Sequence, residues 1–196
     1  MLFRNAALFC GGLVLTSTTA LAVPIQWTVA SGGNGHFYEV VQTDNTVSWT
    51  QADSAATLAG GYLITITSAA EQAFIETLPK NSGAYWAGGQ DLASEGVWTW
   101  VTGPEAGTQF WQGTSGGSTT APFNYANWFG GEPNNSGNED YLTFNQSSGG
   151  AGWNDVGISN SAIRGYIVEV IPEPSTALLL GSGLLGLSAR GRRRKT

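Results

Sequence analysis

Two patterns of polar and apolar residues in the first half of the chain predict helices. Residues 48–51 and 68–71 each place a serine three positions before Gln or Glu, a spacing in which each side chain can bond the other residue's backbone N–H at a helix start. The first helix is predicted to end near Ala59, because the glycines at 60 and 61 readily adopt the left-handed backbone that closes helices. The second helix is predicted to end near Leu78.

Runs of β-branched and aromatic residues around and after these helices predict strands. The predicted strands span residues 36–41, 63–67, 86–89, 97–101, 141–144 and 165–170. The segments between them are rich in Gly, Asn, Ser and Pro, which favour turns, and residues 113–120 are expected to form a flexible loop of the same domain. A strand, two helices and several antiparallel strands with long loops define an α+β domain.

The beginning of the chain has the features of a secretory signal peptide. Residues 1–22 combine Arg4, an apolar run and small residues at Ala20 and Ala22. This order is typical of a segment that signal peptidase removes during export. The folded domain is therefore expected over residues 23–171.

The C-terminal segment, residues 172–196, has the order of a sorting signal. It opens with Pro172-Glu173-Pro174-Ser175, continues as an apolar stretch over residues 176–189 and ends in a cluster of Arg and Lys. The apolar stretch is shorter than the roughly 20 residues of a stable membrane span. This order favours a transient membrane association before cleavage, and a plain C-terminal membrane anchor is the alternative.

Charge and composition limit the partners of the domain. Residues 23–171 contain 13 acidic residues and only two basic ones, Lys80 and Arg164, which gives a formal net charge of −11. Such a surface suits cations and argues against a nucleic-acid partner, since nucleic-acid binding needs clusters of Lys and Arg. The domain has no cysteine and a single histidine, His36, so no disulfide and no Cys- or multi-His zinc site is expected. The eight tryptophans of the chain are expected mainly in the core, although tryptophan can also stack on sugars.

One loop and one short segment gather side chains that can bind a metal through oxygen. Residues 127–141 read NWFGGEPNNSGNEDY, and Trp153-Asn154-Asp155 follows downstream. Carboxylates and carboxamides are the hard oxygen ligands that calcium prefers, and calcium accepts six to eight of them in irregular geometry. Neighbouring carboxylates also repel one another unless a cation lies among them. From the loop alone, a calcium site and a solvated acidic turn remain equal alternatives.

The order of motifs over residues 36–170 resembles the C-type lectin family. The matching positions are Trp49 and Ala52, Gly60-Gly61-Tyr62-Leu63, Ser68-Ala69-Ala70-Glu71, Trp86-Ala87-Gly88-Gly89, Glu95-Gly96, Trp98-Thr99-Trp100 and Asn127-Trp128. Glu132-Pro133-Asn134 and Trp153-Asn154-Asp155 resemble the two signature motifs of the sugar-binding members. The C-terminal segment resembles the PEP-CTERM signal of Gram-negative bacteria, which implies processing by an exosortase and export to a surface rich in exopolysaccharide.

The resemblance implies a C-type-lectin-like fold with two helices, short antiparallel sheets and long calcium-binding loops. It implies a primary calcium ion bound by Glu132, Asn134, Glu139, Asn154 and Asp155. Two further coordination positions would take neighbouring sugar hydroxyls, and Glu132, Asn134, Glu139 and Asn154 would also hydrogen-bond the sugar. Pro133 would be cis. The Glu-Pro-Asn form implies sugars of the mannose, glucose or N-acetylglucosamine type.

A possible second calcium site also follows from the resemblance. Its ligands would be Asp91, Glu95, Asn135, Glu139 and Asp140. Taken without the resemblance, Asp91 and Glu95 favour a solvated turn.

The sequence departs from the family at the positions of its two disulfides. By motif spacing, the long-range pair falls on Ala56 and Val168, and the loop pair falls on Tyr141 and Ile158. Apolar residues at these positions favour packed contacts in place of bridges. Residues 145–152 are then expected to be ordered by packing and by calcium.

Three classes of function remain to be compared. The leading hypothesis is an exported, calcium-dependent carbohydrate-binding protein of the cell surface or exopolysaccharide matrix of a Gram-negative bacterium. The alternative is a structural or protein-interaction module of the biofilm or envelope that does not bind sugar. An enzyme is disfavoured: Glu132 and Glu139 could form a glycosidase pair, but as calcium ligands both would be ionised and neither could donate a proton.

Overall fold

The computed structural model describes residues 23–144 and 152–172. The predicted signal peptide over residues 1–22 and the sorting segment beyond Pro172 therefore lie outside the described residues, as do residues 145–151 of the loop expected to be ordered by calcium. Among the helices of the two described ranges, none is both long enough and apolar enough to cross a membrane.

The first helix forms as the sequence predicts. Helix α1 (Trp49–Leu58) begins with a complete capping box. The Gln51 N–H donates to Ser48 Oγ at 3.3 Å, and the Ser48 N–H donates to Gln51 Oε1 at 3.0 Å. The helix closes at Ala59, and Gly60 follows with a φ of 82°, which glycine adopts without steric cost.

The second helix, α2 (Ala69–Glu76), ends two residues before the predicted position and has only half of the predicted capping box. The Glu71 N–H donates to Ser68 Oγ at 3.2 Å. The Glu71 carboxylate, however, accepts the Thr67 N–H at 2.8 Å and the Tyr38 hydroxyl at 2.8 Å. The Glu71 side chain therefore bonds the N–H of Thr67 instead of that of the N-cap Ser68, and at 3% exposure it lies in a buried polar cluster.

The described residues contain ten strands, which form one sheet. In chain order they are β1 (Ile25–Gln26), β2 (Phe37–Gln42), β3 (Tyr62–Leu63), β4 (Tyr85–Gln90), β5 (Val97–Trp100), β6 (Gln109–Gln112), β7 (Ser118–Thr119), β8 (Tyr141–Phe144), β9 (Trp153–Val156) and β10 (Gly165–Val170). The main path is β1-β2-β10-β4-β5-β6-β7, while β3 pairs with β10 and β8 pairs with both β4 and β9. All pairings are antiparallel except that of β10 with β4. The predicted α+β class is confirmed.

One predicted strand is much longer than the observed one, and four observed strands were not predicted. The strand predicted over residues 63–67 pairs only at β3, although the Ile64 N–H still donates to the Ile167 carbonyl at 3.0 Å. The segment 113–120, predicted as a flexible loop, contains β7, which pairs with β6 and closes a hairpin. Strands β1, β6 and β9 were also missed. The first of these is only two residues long, and β9 carries polar residues suited to ligand binding, so neither has the apolar alternation of a typical strand.

Tryptophans fill the centre of the domain, in agreement with the expectation from sequence. Six of the eight are buried: Trp27, Trp49, Trp86, Trp98, Trp100 and Trp153. Trp100 stacks on Phe110 with ring centroids 4.2 Å apart, and Trp153 meets the same ring edge-on at 5.8 Å. Since Trp153 directly precedes Asn154, this packing fixes the start of the strand that carries part of the candidate site.

The two pairs of positions that replace family disulfides differ in packing. Ala56 and Val168 are buried in the same apolar cluster, at 0% and 1% exposure, which agrees with a packed contact in place of a bridge. Tyr141 is also buried there, whereas Ile158 is 40% exposed, so the packed contact expected between these two residues stays a prediction. The Tyr141 ring packs against Trp49, with centroids 5.5 Å apart.

A polar cluster is buried between β2, β10 and α2. Glu169 is 2% exposed, and its Oε1 lies 2.7 Å from His36 Nδ1 and 3.0 Å from the Tyr38 hydroxyl. The same hydroxyl lies 2.8 Å from Glu71 Oε1. Burial, followed by the charge of Glu71, raises the pKa of Glu169 to about 7. His36, just before β2, is therefore a partner of a buried carboxyl group.

Candidate metal centre

The β8–β9 hairpin holds one arm of the candidate site. Leu142 lies opposite Asp155 and Thr143 opposite Asn154 in the antiparallel register. The side chains of neighbouring residues in a strand point to opposite faces of the sheet. Asn154 and Asp155 are therefore positioned by the backbone of β9 and not by contact between their side chains. Asp155 is 1% exposed, which makes it one of the most deeply buried carboxylates of the described domain.

The acidic loop is attached to the start of β9 by backbone hydrogen bonds. The Trp153 N–H donates to the Asn127 carbonyl at 2.7 Å, and the Phe129 N–H donates to the Trp153 carbonyl at 2.8 Å. A tight turn follows, in which the Glu132 N–H donates to the Phe129 carbonyl at 2.9 Å. The peptide bond between Glu132 and Pro133 is cis. These contacts bring the Glu-Pro-Asn motif beside the Trp-Asn-Asp motif.

Asp155 is the anchor between the two motifs. Its Oδ2 accepts the N–H groups of Asn134 at 2.9 Å and Asn135 at 2.7 Å. Its Oδ1 is buried and has no hydrogen-bond partner among the described residues, and the same is true of Asn154 Oδ1. Buried polar atoms in native proteins are almost always satisfied, so Asn154 Oδ1 calls for a donor or a cation. The Asp155 carboxylate calls for a cation or for a proton on Glu132, with which it shares a hydrogen bond that raises the Glu132 pKa.

The remaining residues predicted for the primary calcium ion lie in the same network. The Asn134 carboxamide donates to the Glu132 carboxylate. The Ser136 N–H donates to both Asn134 Oδ1, at 2.8 Å, and Glu139 Oε2, at 3.0 Å. The structure therefore brings together the loop residues and the β9 residues that the two motifs supply. Ser136 is a positioning residue that sequence reasoning missed, because its contribution is made by the backbone.

The electrostatics of the site favour a bound cation. Burial, followed by the charges of Asp155 and Glu139, raises the pKa of Glu132 to about 7. Burial and the charge of Asp155 also raise the pKa of Glu139. In both cases the carboxylate form is disfavoured because negative groups are held close together away from water. A divalent cation would remove this penalty.

The residues of the possible second calcium site also meet. The Asn135 carboxamide donates to Glu95, and Asn135 Oδ1 accepts the Glu139 N–H at 2.8 Å. Asp91 is 3% exposed, and its N–H donates to the Asp140 carbonyl at 3.2 Å. The Asp91 Oδ2 accepts the Gly96 N–H at 2.9 Å, whereas its Oδ1 is buried without a partner in the described part of the chain. Burial, with the charges of Glu95, Asp140 and Asp155, raises the pKa of Asp91 to about 6.

The donor set fits a hard cation and depends on carboxamides. Among residues 23–144 and 152–172, no group of three or more His, Cys, Asp or Glu side chains is arranged to hold a metal ion without other donors. The oxygens of Asn134 and Asn154 would have to complete the primary site, and that of Asn135 the second. A set made only of carboxylate, carboxamide and carbonyl oxygens suits calcium rather than zinc or another soft metal.

The fold and this arrangement of motifs define a C-type lectin domain. The family model of the lectin C-type domain matches residues 45–162, and that of the PEP-CTERM protein-sorting motif matches residues 170–194. The chain therefore belongs to the C-type lectin family and carries a PEP-CTERM motif, which indicates export to the surface or the extracellular space. Proteins of this family are generally non-enzymatic binding proteins.

Relatives of known sequence and structure agree with this assignment. Halomucin of Haloquadratum walsbyi is 36% identical over 170 residues, which cover 81% of this chain and 2% of that protein. C-type lectin domain family 4 member M of Symphalangus syndactylus is 33% identical over 133 residues, which cover 67% of this chain and 26% of that protein. The carbohydrate-recognition domain of cow CD23, in a crystal structure with a GlcNAc2Man3 oligosaccharide, superposes with a TM-score of 0.55 at 25% identity, covering 71% of this chain and 90% of that one. The chain thus spans only a small part of the curated relatives that it matches.

Proposed function

We propose that this chain is an exported, calcium-dependent carbohydrate-binding protein. The observation that carries the proposal is the pair of buried oxygens, Asn154 Oδ1 and Asp155 Oδ1, that have no hydrogen-bond partner within residues 23–144 and 152–172. The charge of Asp155 acts on the carboxyl groups of both Glu132 and Glu139. Two such oxygens in a site where carboxylates already repel one another are costly without a cation. The family membership makes a sugar-binding role the natural use of that cation.

The primary calcium ion would be bound by Glu132, Asn134, Glu139, Asn154 and Asp155. When bound, it supplies open coordination positions for two neighbouring sugar hydroxyls. The protein side chains do the rest: carboxylates accept hydrogen bonds from those hydroxyls, and carboxamides donate to them. Glu132 and Glu139 would accept, while Asn134 and Asn154 would donate. Asp155 would hold the loop through its bonds to the backbone of Asn134 and Asn135.

The proposed sugar is of the mannose, glucose or N-acetylglucosamine type. The support is the Glu132-Pro133-Asn134 sequence, whose form implies equatorial neighbouring hydroxyls. The cow CD23 domain, which has a similar fold, was crystallised in the presence of an oligosaccharide built from mannose and N-acetylglucosamine. A single shallow site of this kind binds one sugar weakly, with a Kd on the order of 1 mM, so many copies on a surface would be needed for useful affinity.

A second calcium ion is proposed at Asp91, Glu95, Asn135, Glu139 and Asp140. The support is the buried Asp91 Oδ1, which has no partner among the residues that the structure describes, and the bond of Asn135 to Glu95. Since Asn135 and Glu139 also touch the primary network, an ion here would stiffen the loop that holds the primary ligands.

The proposed location is the cell surface or extracellular matrix of a Gram-negative bacterium. The support is the PEP-CTERM motif over residues 170–194. Signal peptidase and an exosortase would process the two ends, with transient membrane association through the C-terminal segment. An exopolysaccharide of the same surface is then the proposed glycan partner.

The deciding experiment is a calcium titration followed by thermal unfolding, in the wild type and in Asn154→Ala, with the exposed Asn45→Ala as matched control. We expect calcium to raise the Tm of the wild type and the control, and to have much less effect on Asn154→Ala. Mannose and galactose would then be titrated by calorimetry with and without a chelator. Sugar binding that survives the chelator would contradict the mechanism. Calcium binding without any sugar binding would favour a structural or protein-interaction module.

A further inference from the structure

An aromatic side chain stands exposed next to the proposed sugar site. Phe129 is 37% exposed, and it is the only aromatic residue among the large apolar side chains that are exposed in the described part of the chain. Full burial of a phenylalanine is strongly favourable, so a ring left in contact with water at a binding site is available to a ligand.

The backbone of Phe129 is fixed on both sides. Its N–H donates to the Trp153 carbonyl at 2.8 Å, and its carbonyl accepts the Glu132 N–H at 2.9 Å. A turn closed in this way keeps its first and fourth Cα atoms within about 7 Å of each other. The Cα atoms of Phe129 and Glu132 are therefore separated by roughly the width of one sugar ring. The backbone of Phe129 is hydrogen-bonded to β9, the strand that carries Asn154.

The two residues between Phe129 and Glu132 leave the surface open. They are Gly130 and Gly131, and a Cβ atom added to either would meet nothing within 4 Å. Gly131 has a φ of 98° and needs to be glycine for its backbone, whereas Gly130 has no such requirement. The turn therefore places no side chain between Phe129 and Glu132, and this stretch without side chains is called the glycine floor.

We propose that Phe129 and the Gly130–Gly131 floor form a second sugar subsite, which holds the unit next to the one at the calcium ion. The ring would pack against the apolar C–H face of that unit, and the glycine floor would admit the glycosidic link. The ligand class is then a segment of an oligo- or polysaccharide rather than a single sugar. This inference rests on the proposed function.

The test compares single sugars with short chains in the presence of calcium. The probes are methyl α-mannoside against an α-linked mannotriose, and N-acetylglucosamine against its trimer. The wild type should bind the trisaccharide of its preferred pair more tightly than the single sugar. Phe129→Ala should lose roughly two- to tenfold in trisaccharide affinity, the range expected for one aromatic contact, and nothing for the single sugar.

Three further variants define the control set. Phe129→Tyr keeps an aromatic face and should retain the preference, while Gly130→Val should reduce it by filling the floor. Leu58→Ala removes an exposed apolar side chain at the end of α1 and should change nothing. An unchanged calcium-dependent rise of Tm in Phe129→Ala would show that the primary site is intact.

The possible results distinguish a failure of the second subsite from a failure of the proposed function. A wild type that binds a single sugar but gains nothing from a longer chain, or a Phe129→Ala variant that weakens both probes equally, would overturn the second subsite alone. A wild type that binds none of the four probes in calcium would overturn the proposed function, and the subsite with it.

Discussion

The stability of the protein should fall as the pH rises through the range in which Glu169 ionises. Glu169 is 2% exposed, and burial with the charge of Glu71 raises its pKa from 4.5 to about 7. The Tyr38 hydroxyl lies within hydrogen-bond distance of both carboxyl groups, yet it has one hydrogen to donate. An additional proton in this cluster, on Glu169 or shared with His36, therefore satisfies contacts that two ionised carboxylates could not.

The direction of this pH dependence follows from the number of protons that the folded and unfolded chains bind. The unfolded chain releases the Glu169 proton near pH 4.5, whereas the folded chain keeps it until about pH 7. Between these values the folded state binds more protons, so the free energy of unfolding decreases with rising pH. At about 1.4 kcal/mol per pKa unit, the rise from 4.5 to about 7 corresponds to a loss of roughly 3–4 kcal/mol above pH 7.

The assay is urea unfolding at several pH values from 5 to 8, in saturating calcium, for the wild type and Glu169→Gln. Calcium bound as proposed would keep the carboxylates of the candidate metal centre from titrating in the same range. Glutamine cannot ionise, so the free energy of unfolding of the variant should depend much less on pH. Relative to the wild type, the variant should gain stability between pH 5 and pH 8. The exposed Asp44→Asn serves as control and should keep the wild-type slope. Identical slopes in the wild type and Glu169→Gln would refute the reasoning.

Three other predictions concern the metal centre and the packing behind it. Asp155→Asn should abolish most of the calcium-dependent stabilisation, which for the wild type is about 2.7 kcal/mol at a calcium concentration 100 times its Kd, as measured by unfolding with and without calcium. Gly88→Ala should destabilise the domain by roughly 1–3 kcal/mol or more, because its Cβ would lie 2.8 Å from the Leu63 carbonyl oxygen and would overlap the Thr102 side chain; Gly116→Ala, which meets nothing within 4 Å, is the matched control in the same thermal assay. A chelator should release bound mannose from the wild type in calorimetry, and retention of the sugar would argue against a calcium-mediated contact.

Local signals made much of the fold predictable. The Ser48 capping box and the glycine after Ala59 are contained in a few neighbouring residues, and α1 forms as they predict. The second cap shows the limit of such signals. Glu71 has the sequence position of a capping residue, but Thr67 and Tyr38, the latter far away in the chain, hold its side chain in the buried cluster. A local pattern carries no information about such distant partners.

The residues of the candidate site could be predicted from the sequence, but the hydrogen bonds that position them could not. The motif residues Glu132, Asn134, Asn154 and Asp155 stand out as oxygen ligands in the sequence, and the structure brings their segments together. The bonds that hold them were not predictable, because they run through the backbone: Ser136 N–H bridges Asn134 and Glu139. Strand β9 was missed for a related reason. Its polar residues serve the site, so they break the apolar alternation by which strands are recognised.

In a domain without cysteine, the proposed calcium ions would also have a structural part. The domain has no cysteine that could form a disulfide near the site. At the two positions of the family's loop disulfide, Tyr141 is buried and Ile158 is 40% exposed. Asp155 instead holds the acidic loop by accepting the N–H groups of Asn134 and Asn135, and the Asp91 N–H donates to the Asp140 carbonyl at the end of that loop. Asp91 and Asp155 each keep one buried oxygen without a partner among the described residues. A buried carboxylate in that state destabilises the fold until a cation reaches it. Calcium would therefore stabilise the acidic loop and prepare the sugar site in the same step, so the glycan would meet a preformed surface only where calcium is abundant.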